Sequence, residues 1–202
     1  MTPSRHHDAP AAGQQAQGRA LILGPTTAPG DRLIVRPARP SDAALLAEML
    51  CQLSAETLWN RFGMALHPLG PEQARQLAER MLGAGPADWT LLLIAGSPAE
   101  RIAGIAQLVP VGGERGEFAL LLADDQQGRG LGRQLLAMLV RLARSAGLRE
   151  LCASMRASNG PMLRLVRGIG LPLTSDTSGG ETEVLLRLGA LAPALASLAG
   201  VF

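Results

Sequence analysis

The stretch that decides the fold is Gln127-Gly128-Arg129-Gly130-Leu131-Gly132. It lies between a strand-like apolar run, residues 117–123, and an amphipathic run, residues 132–146, whose apolar positions recur at helical spacing. A glycine-rich turn between a strand and a helix directs several unpaired backbone N–H groups, and the positive helix end, toward one point. Such a point binds phosphate, and Arg129 and Arg133 can add charged contacts. The alternative is a flexible turn without a ligand.

Two other nucleotide-binding loops can be compared with this stretch. A Walker loop requires Gly-Lys followed by Ser or Thr, and no such sequence follows the glycines. A Rossmann fingerprint requires Gly-x-Gly-x-x-Gly in a parallel unit and an acidic residue at the end of the next strand. Here the spacing is Gly-x-Gly-x-Gly, and Glu150 begins the next strand. Neither alternative fits.

The rest of the chain predicts an α/β fold of the α+β kind, with a mixed, mostly antiparallel sheet. Glycine-rich turns separate the strands before the loop, which is typical of hairpins, and Gly147 has the position of a helix terminator. We expect six to seven strands flanked by about four helices. The predicted strands are 31–37, 89–95, 101–109, 117–123, 151–155 and 181–188; the helical segments begin after Pro40-Ser41-Asp42 and at Ser54, Pro71, Gly132 and Pro161.

Composition indicates an intracellular globular protein. Nineteen basic and 17 acidic residues give a net charge of only +2, which does not favour nucleic-acid binding. Cys51 and Cys152 have no metal-ligand spacing, and no apolar run approaches the roughly 20 residues that span a bilayer. We therefore expect a cytoplasmic protein without metal, nucleic acid or membrane. Its predicted parts are a flexible tail (1–30), one domain (31–188) and an apolar tail (189–202), either a docked helix or a homodimer contact.

Gln127, Gly130 and Gly132 match the pattern Gln/Arg-x-x-Gly-x-Gly/Ala of the GNAT superfamily of N-acetyltransferases, which the chain resembles over residues 33–188. Leu53-Ser54-Ala55-Glu56-Thr57, Arg61-Phe62 and Gly116-Glu117-Phe118-Ala119 resemble the acetyltransferase domain of bacterial protein-lysine acetyltransferases of the Pat type. The resemblance implies a sheet splayed at its central strands and acetyl-CoA as co-substrate. The residues it implies for binding acetyl-CoA are Leu122, Ala123, Gln127, Gly128, Arg129, Gly130, Leu131, Gly132, Arg133 and Asn159.

The resemblance also implies how the reaction proceeds. Glu117 would be the general base that deprotonates the amine, directly or through a water, with Glu114 as second candidate. Backbone N–H groups near Leu122 and Ala123 would hold the thioester carbonyl. Asn159 has two roles open to it, holding the cofactor arm or capping the following helix.

One feature departs from the family. Its members often carry a tyrosine that protonates the departing thiolate, but this chain has no tyrosine, and Val166 occupies the corresponding position. Cys152 is expected in the core and not as a nucleophile. The acceptor is expected to be a primary amine, either a protein lysine or a small molecule. The alternatives are a non-catalytic acyl-CoA-binding regulatory module and an adaptor that recruits a partner through its apolar tail.

Overall fold

The computed structural model describes residues 21–22, 33–63, 68–83, 85, 88–96 and 100–189. The predicted C-terminal tail beyond residue 189 lies outside the described residues, and so does the predicted N-terminal tail apart from Leu21 and Ile22. Those two residues form a short strand that pairs with Val35 and Ile34. The sheet therefore begins within the segment that the sequence predicted to be a tail.

The described chain forms one sheet of eight strands in the order β1-β2-β3-β4-β5-β6-β8-β7. Every neighbouring pair is antiparallel except β5 and β6, which are parallel, so the predicted mixed, mostly antiparallel sheet is confirmed. The strands are β1 (Leu21–Ile22), β2 (Leu33–Pro37), β3 (Trp89–Gly96), β4 (Glu100–Gly112), β5 (Arg115–Leu122), β6 (Glu150–Arg156), β7 (Leu173–Ser178) and β8 (Glu181–Arg187).

Five α-helices connect the strands, and they correspond to the five helical segments predicted from the sequence. They are α1 (Ala43–Cys51), α2 (Ala55–Phe62), α3 (Pro71–Leu82), α4 (Leu131–Ser145) and α5 (Gly160–Gly168). Gly147 follows α4 with a φ of +78°, and its N–H donates to the Arg144 carbonyl, as the predicted terminator requires.

The helices cover the two faces of the sheet and produce two apolar clusters. On one face α4 and α5 bury residues such as Leu135 and Val166 against Leu93, Phe118 and Leu151. On the other face α1, α2 and α3 pack onto the opposite sides of β3 and β4. Because successive side chains of a strand point to opposite faces, the two clusters share the same strands.

The sheet opens between β5 and β6. Only Arg115, Gly116 and Glu117 of β5 pair with β6, opposite Glu150, Leu151 and Cys152. Beyond these pairs β5 continues to Leu122 and β6 to Arg156 without further ladder contacts between them. The predicted splay at the central strands is therefore present, and it begins immediately after Glu117.

Strand β7 was missed by the sequence analysis. It is a polar edge strand with five of its six residues exposed, so it carries no apolar alternation. Its signal is the turn to β8: Ser178 pairs with Glu181, and the two residues between them are Gly179 and Gly180, both with positive φ. A Gly-Gly pair in this position is typical of a two-residue hairpin.

The start of α1 differs from the prediction that Pro40-Ser41-Asp42 caps it. Asp42 is the N-cap residue, but its side chain makes no capping hydrogen bond to the helix. Its carboxylate instead accepts two hydrogen bonds from the Arg36 guanidinium, at 2.7 and 2.8 Å, and one from the Arg39 N–H. The hydrogen bonds from Arg36 lower the pKa of this largely buried carboxyl. The residue ties β2 to the helix that follows.

Candidate active site

A cleft of about 480 Å³ occupies the space where β5 and β6 separate. Its walls come from both strands, from α2 on one side, and from the glycine loop and α5 on the other. The cleft is therefore a product of topology, since a continuously paired sheet would leave no space between these strands. The loop predicted to bind phosphate forms one end of it.

The glycine loop has the backbone that the sequence predicts for an anion site. Gly128 and Gly130 have φ values of +71° and +76°, a region that residues with a Cβ rarely adopt. Gly130 precedes the first residue of α4, and no side chain caps this helix. The N–H groups of its first turn therefore remain available for an anion and lie at the positive helix end.

Most of the predicted site residues meet in the cleft. Those that line it are Glu117, Leu122, Gln127, Gly128, Gly130, Gly132, Arg133 and Asn159. Three predicted cofactor residues, Ala123, Arg129 and Leu131, are not part of this lining. Leu131 is 1% exposed and packs in the core, and Arg129 donates to the Gln126 side chain.

The backbone N–H groups of Leu122 and Ala123 point to opposite edges of β5. The Ala123 N–H donates to the Ala103 carbonyl on the neighbouring side and is thus already used. Backbone groups of alternate residues point to opposite edges of a strand, so those of Leu122 face the splay. The Leu122 carbonyl accepts a hydrogen bond from the Gln127 side chain, which supports this orientation. Of the two predicted carbonyl-binding donors, the Leu122 N–H is the one on the correct edge.

A hydrogen-bond network joins the start of α2 to the loop, and the sequence analysis did not find it. The Asp124 carboxylate accepts from the Ser54 N–H and hydroxyl, both at 2.8 Å, and from the Thr57 hydroxyl at 2.6 Å. Gln127 donates to the same Thr57 oxygen and to the Leu122 carbonyl. Burial raises the pKa of Asp124, but the hydrogen bonds from Thr57 and Ser54 outweigh this effect and lower it.

Glu117 occupies the last position at which β5 and β6 remain paired. Its side chain is exposed to the cleft and has neither a hydrogen bond nor an ion pair with any other residue of the described chain. Glu114, the second candidate, lies in the turn before β5, forms an ion pair of 2.8 Å with Arg149, and is not among the residues that line the cleft. Of these two carboxylates, therefore, Glu117 faces the cleft and Glu114 does not.

Cys152 faces Glu117 across the β5–β6 pair and is half-buried, whereas the sequence predicted a core position. Its sulfur donates to the Gly116 carbonyl at 3.5 Å. Burial raises the pKa of the thiol, and the charge of Glu117 raises it further. A thiol in this environment stays protonated and is a poor nucleophile.

Helix α2 also contributes to the wall of the cleft. Arg61 lines the cleft, whereas Phe62, its neighbour, packs against the apolar cluster beneath α1 and α3. Trp59 is 38% exposed and lies under the guanidinium of Arg156, 4.2 Å from the ring centre. Of these three residues of α2, Arg61 is the one that lines the cleft.

The family model of the acetyltransferase (GNAT) domain matches residues 32–172. The chain belongs to the GNAT acetyltransferase family. The family and the fold predicted from the glycine loop are thereby confirmed, and acetyl-CoA is the co-substrate of this family. The uncapped helix end, the positive-φ glycines and Arg133 fit the pyrophosphate of such a donor.

Two curated relatives illustrate the range of the GNAT family around this chain. It is 34% identical over 90 residues to the L-methionine sulfoximine/L-methionine sulfone acetyltransferase of Pseudomonas paraeruginosa, covering 42% of the chain and 52% of the relative. It is 26% identical over 143 residues to the acetyltransferase Pat of Mycolicibacterium smegmatis, covering 70% of the chain and 41% of that protein. The chain thus spans about half or less of these relatives.

Solved GNAT structures share the fold. The GNAT domain of S. lividans PAT is 22% identical, with a TM-score of 0.64 over 78% of this chain and 92% of that one. The putative acetyltransferase yncA of Salmonella typhimurium, solved with acetyl-CoA, is 20% identical, with a TM-score of 0.55 over 79% and 96%. The predicted likeness to the Pat type is consistent with the first structure and with the Pat relative.

Two residues predicted from the family on α5 have clear positions. The Asn159 side chain accepts a hydrogen bond from the Met162 N–H at 3.1 Å, so it caps α5, and it also lines the cleft. Val166, at the position where the family often has tyrosine, is fully buried in the core. It therefore has no access to a reacting group.

Within the described ranges, no three His, Cys, Asp or Glu residues are grouped as metal ligands would be. No described helix has the length and apolar character needed to cross a membrane. The predicted homodimer contact falls in the tail outside the described residues and stays a prediction.

Proposed function

We propose that this chain transfers the acetyl group of acetyl-CoA directly to a primary amine, with Glu117 as the general base. The observation that carries the proposal is the position of Glu117, an unpartnered carboxylate at the fork of β5 and β6, in the same cleft as the glycine loop. An acceptor that enters the cleft reaches the carboxylate and the donor together. Of the other carboxylates that the structure places in or near the cleft, Asp124 is held by α2, Glu56 lies in the first turn of α2 and not at the fork, and Glu114 lies in the turn before β5.

Donor binding is assigned to the loop and the adjoining edge of β5. The N–H groups of the first turn of α4, with Arg133, would hold the pyrophosphate, and the Leu122 N–H would bind the thioester carbonyl. Asn159 would border the cofactor arm while it caps α5. Arg129 is left out of this set because its side chain donates to Gln126 and does not line the cleft.

The reaction follows from the protonation state of the amine. A lysine-type amine has a pKa near ~10.4 and is mostly protonated at neutral pH, so a base must remove a proton before attack. Glu117 takes that proton, the nitrogen attacks the thioester carbon to give a tetrahedral adduct, and the carbon–sulfur bond breaks as the nitrogen loses its second proton to water. Val166 cannot protonate the departing thiolate. Because a thiol has a pKa of about 8.5, the thiolate is a competent leaving group without an acid, and it then takes a proton from water.

Glu117→Gln tests the base. It should lower kcat about 100-fold at pH 7, leave the affinity for acetyl-CoA unchanged, and recover activity as the pH approaches the pKa of the acceptor amine. Steady-state release of CoA and calorimetric titration of acetyl-CoA measure the two quantities. Glu114→Gln is the matched control, because it removes a carboxylate in the turn directly before the same strand but outside the cleft, and it should retain full activity. Equal activity of wild type and Glu117→Gln would reject Glu117 as the base.

A non-catalytic acyl-CoA-binding module is the second candidate, and the burial of Val166 favours it, because no tyrosine acid is present. It predicts that acetyl-CoA binds while no amine is acetylated. The acceptor screen should therefore contain both classes of acceptor, lysine peptides and small amines. One relative is named a methionine sulfoximine and sulfone acetyltransferase and another is Pat, so their names support both classes.

A further inference from the structure

Arg61 is the residue of the acceptor end that the proposed reaction does not use. It lies in the last turn of α2 and lines the same cleft as Glu117. The loop that would hold the donor phosphates lines the same cleft and is joined to the start of α2 through Gln127 and Thr57, whereas Arg61 lies at the other end of that helix. Arg61 and Glu117 thus place a positive and a negative side chain in the part of the cleft open to the acceptor.

The contacts of the Arg61 guanidinium are all with uncharged groups. Its Nη2 donates to the Gln107 side-chain oxygen at 3.1 Å, and its Cζ lies 5.2 Å from the centre of the Phe62 ring. Gln107 in turn donates to the Met81 carbonyl at 3.0 Å, which fixes the amide so that its oxygen faces Arg61. The guanidinium is therefore held in place by neutral partners on both sides.

No carboxylate of the described chain lies within ion-pair distance of Arg61, and its buried Nε has no hydrogen-bond partner there. Two arginines on strands differ from Arg61 in having an ion-pair partner: Arg36 pairs with Asp42, and Arg115 pairs with Glu150. Burial lowers the pKa of Arg61, and only the charge of Glu117 opposes this effect. A largely desolvated cation without an anion is costly, and an anionic ligand would remove that cost.

We propose that Arg61 binds a carboxylate of the acceptor, so that the acceptor is an amino acid or a similar amine that carries an acidic group. This inference rests on the proposed function, because the amine of the same molecule must reach Glu117. Planar guanidinium and carboxylate groups match in geometry, and a zwitterion presents both charges to the two side chains in the cleft. Arg61 is then a specificity-determining residue, and the base remains Glu117.

The test compares amines that differ only in the carboxylate. L-Methionine sulfone and the twenty common L-amino acids are each assayed beside their carboxamides, together with a C-terminally amidated lysine peptide whose other carboxylates are absent. Release of CoA is measured over a range of acceptor concentrations, and rates are compared per unprotonated amine, because removal of the carboxylate lowers the amine pKa. For the preferred acceptor, the acid should exceed its amide about 10- to 100-fold in kcat/KM.

Two variants of Arg61 locate the effect. Arg61→Gln should raise KM for the acid by the same factor of about 10 to 100 and leave the amide unchanged, and Arg61→Lys should restore part of the preference. Arg75→Gln is the matched control, since Arg75 is an exposed arginine on α3 that pairs only with Glu79. Thermal unfolding and acetyl-CoA affinity should be the same for all four proteins, which shows that each variant is folded.

The outcomes separate this inference from the proposed function. If amides or the lysine peptide are acetylated as well as any acid, the carboxylate site does not exist, although the transferase activity stands. If Arg61→Gln weakens binding of acetyl-CoA, the anion recognised by Arg61 belongs to the donor, and the inference is overturned. If acetyl-CoA binds and no amine is acetylated in any arm, the proposed function fails and this inference fails with it.

Discussion

Replacement of Gly130 by alanine tests whether the backbone of the loop binds the donor. Gly130 has a φ of +76°, and a Cβ built there meets no atom within 4 Å, so the only obstacle to alanine is the backbone conformation. That conformation costs alanine roughly 1–2 kcal/mol, and the lower entropy of the unfolded chain offsets about 0.4–1 kcal/mol. We expect a net loss of about 1 kcal/mol, which lowers Tm by roughly 2–4 °C in a protein of this size.

The effect on acetyl-CoA should be larger than the effect on stability. If Gly130→Ala relaxes toward negative φ, the N–H groups at the start of α4 turn away from the point at which they converge. Loss of one hydrogen bond to a charged phosphate costs about 1.5–3 kcal/mol. The dissociation constant for acetyl-CoA should therefore rise roughly 10- to 100-fold.

Two further glycines provide matched controls. Gly147 at the other end of α4 has almost the same φ, +78°, and equally open space, so Gly147→Ala should lower Tm by a similar amount and leave acetyl-CoA affinity unchanged. Gly168 has open space and no positive φ, and it ends α5, so Gly168→Ala should be neutral or slightly stabilising.

The assay is differential scanning fluorimetry together with calorimetric titration of acetyl-CoA on the four proteins. Gly130→Ala should be the only variant with weakened binding. If Gly147→Ala weakened binding to the same degree, the loss would follow from global stability and not from the loop. If Gly130→Ala bound acetyl-CoA like the wild type, the backbone of the loop would not be the phosphate site.

The remaining predictions concern two carboxylates that organise the fold. Asp124→Ala should destabilise the protein by about 1–2 kcal/mol in urea unfolding and weaken acetyl-CoA binding, because it releases α2 from the loop. Asp125→Ala is the control: it removes an exposed ion pair with Arg101 and should lower the free energy of unfolding by less than about 1 kcal/mol. Asp42→Asn should cost about 3 kcal/mol at pH 7 by leaving Arg36 without its partner. The fold lowers the pKa of Asp42, so the stabilisation from its charged carboxylate is fully present above the unfolded-state pKa near ~3.9 and is lost as the pH falls through the folded-state pKa. The stability of Asp42→Asn should therefore depend less on pH in acid unfolding than that of the wild type.

The sequence was sufficient for the donor end of the cleft because that end is local. The Gln127 to Gly132 loop, the strand before it and the helix after it are continuous in the chain, and the glycines permit the positive φ values that Gly128 and Gly130 adopt. The same holds for α3, whose predicted start at Pro71 agrees with the structure. Short-range rules describe these parts completely.

Contacts between distant segments were beyond those rules. Ser54 and Asp124 are 70 residues apart, and nothing in either segment indicates that the carboxylate would accept both hydrogen bonds of the serine. The sequence likewise placed Leu122 and Ala123 together as donors, because the edge to which each N–H points depends on the register with β4. The hydrogen bond that Arg61 donates goes to Gln107, which lies in a strand 46 residues away.

The two ends of the cleft are therefore built from different groups, and this difference has a functional consequence. The proposed donor site would depend on backbone N–H groups of α4 and on glycine conformation, which side-chain substitutions change little. The proposed acceptor site would depend on the side chains of Glu117 and Arg61, which come from a strand and a helix that meet only in the folded chain. Substitution of Arg61 can thus change which amine is accepted without loss of the donor site. Substitutions in α2 should accordingly change acceptor specificity, while the affinity for acetyl-CoA should depend on the loop.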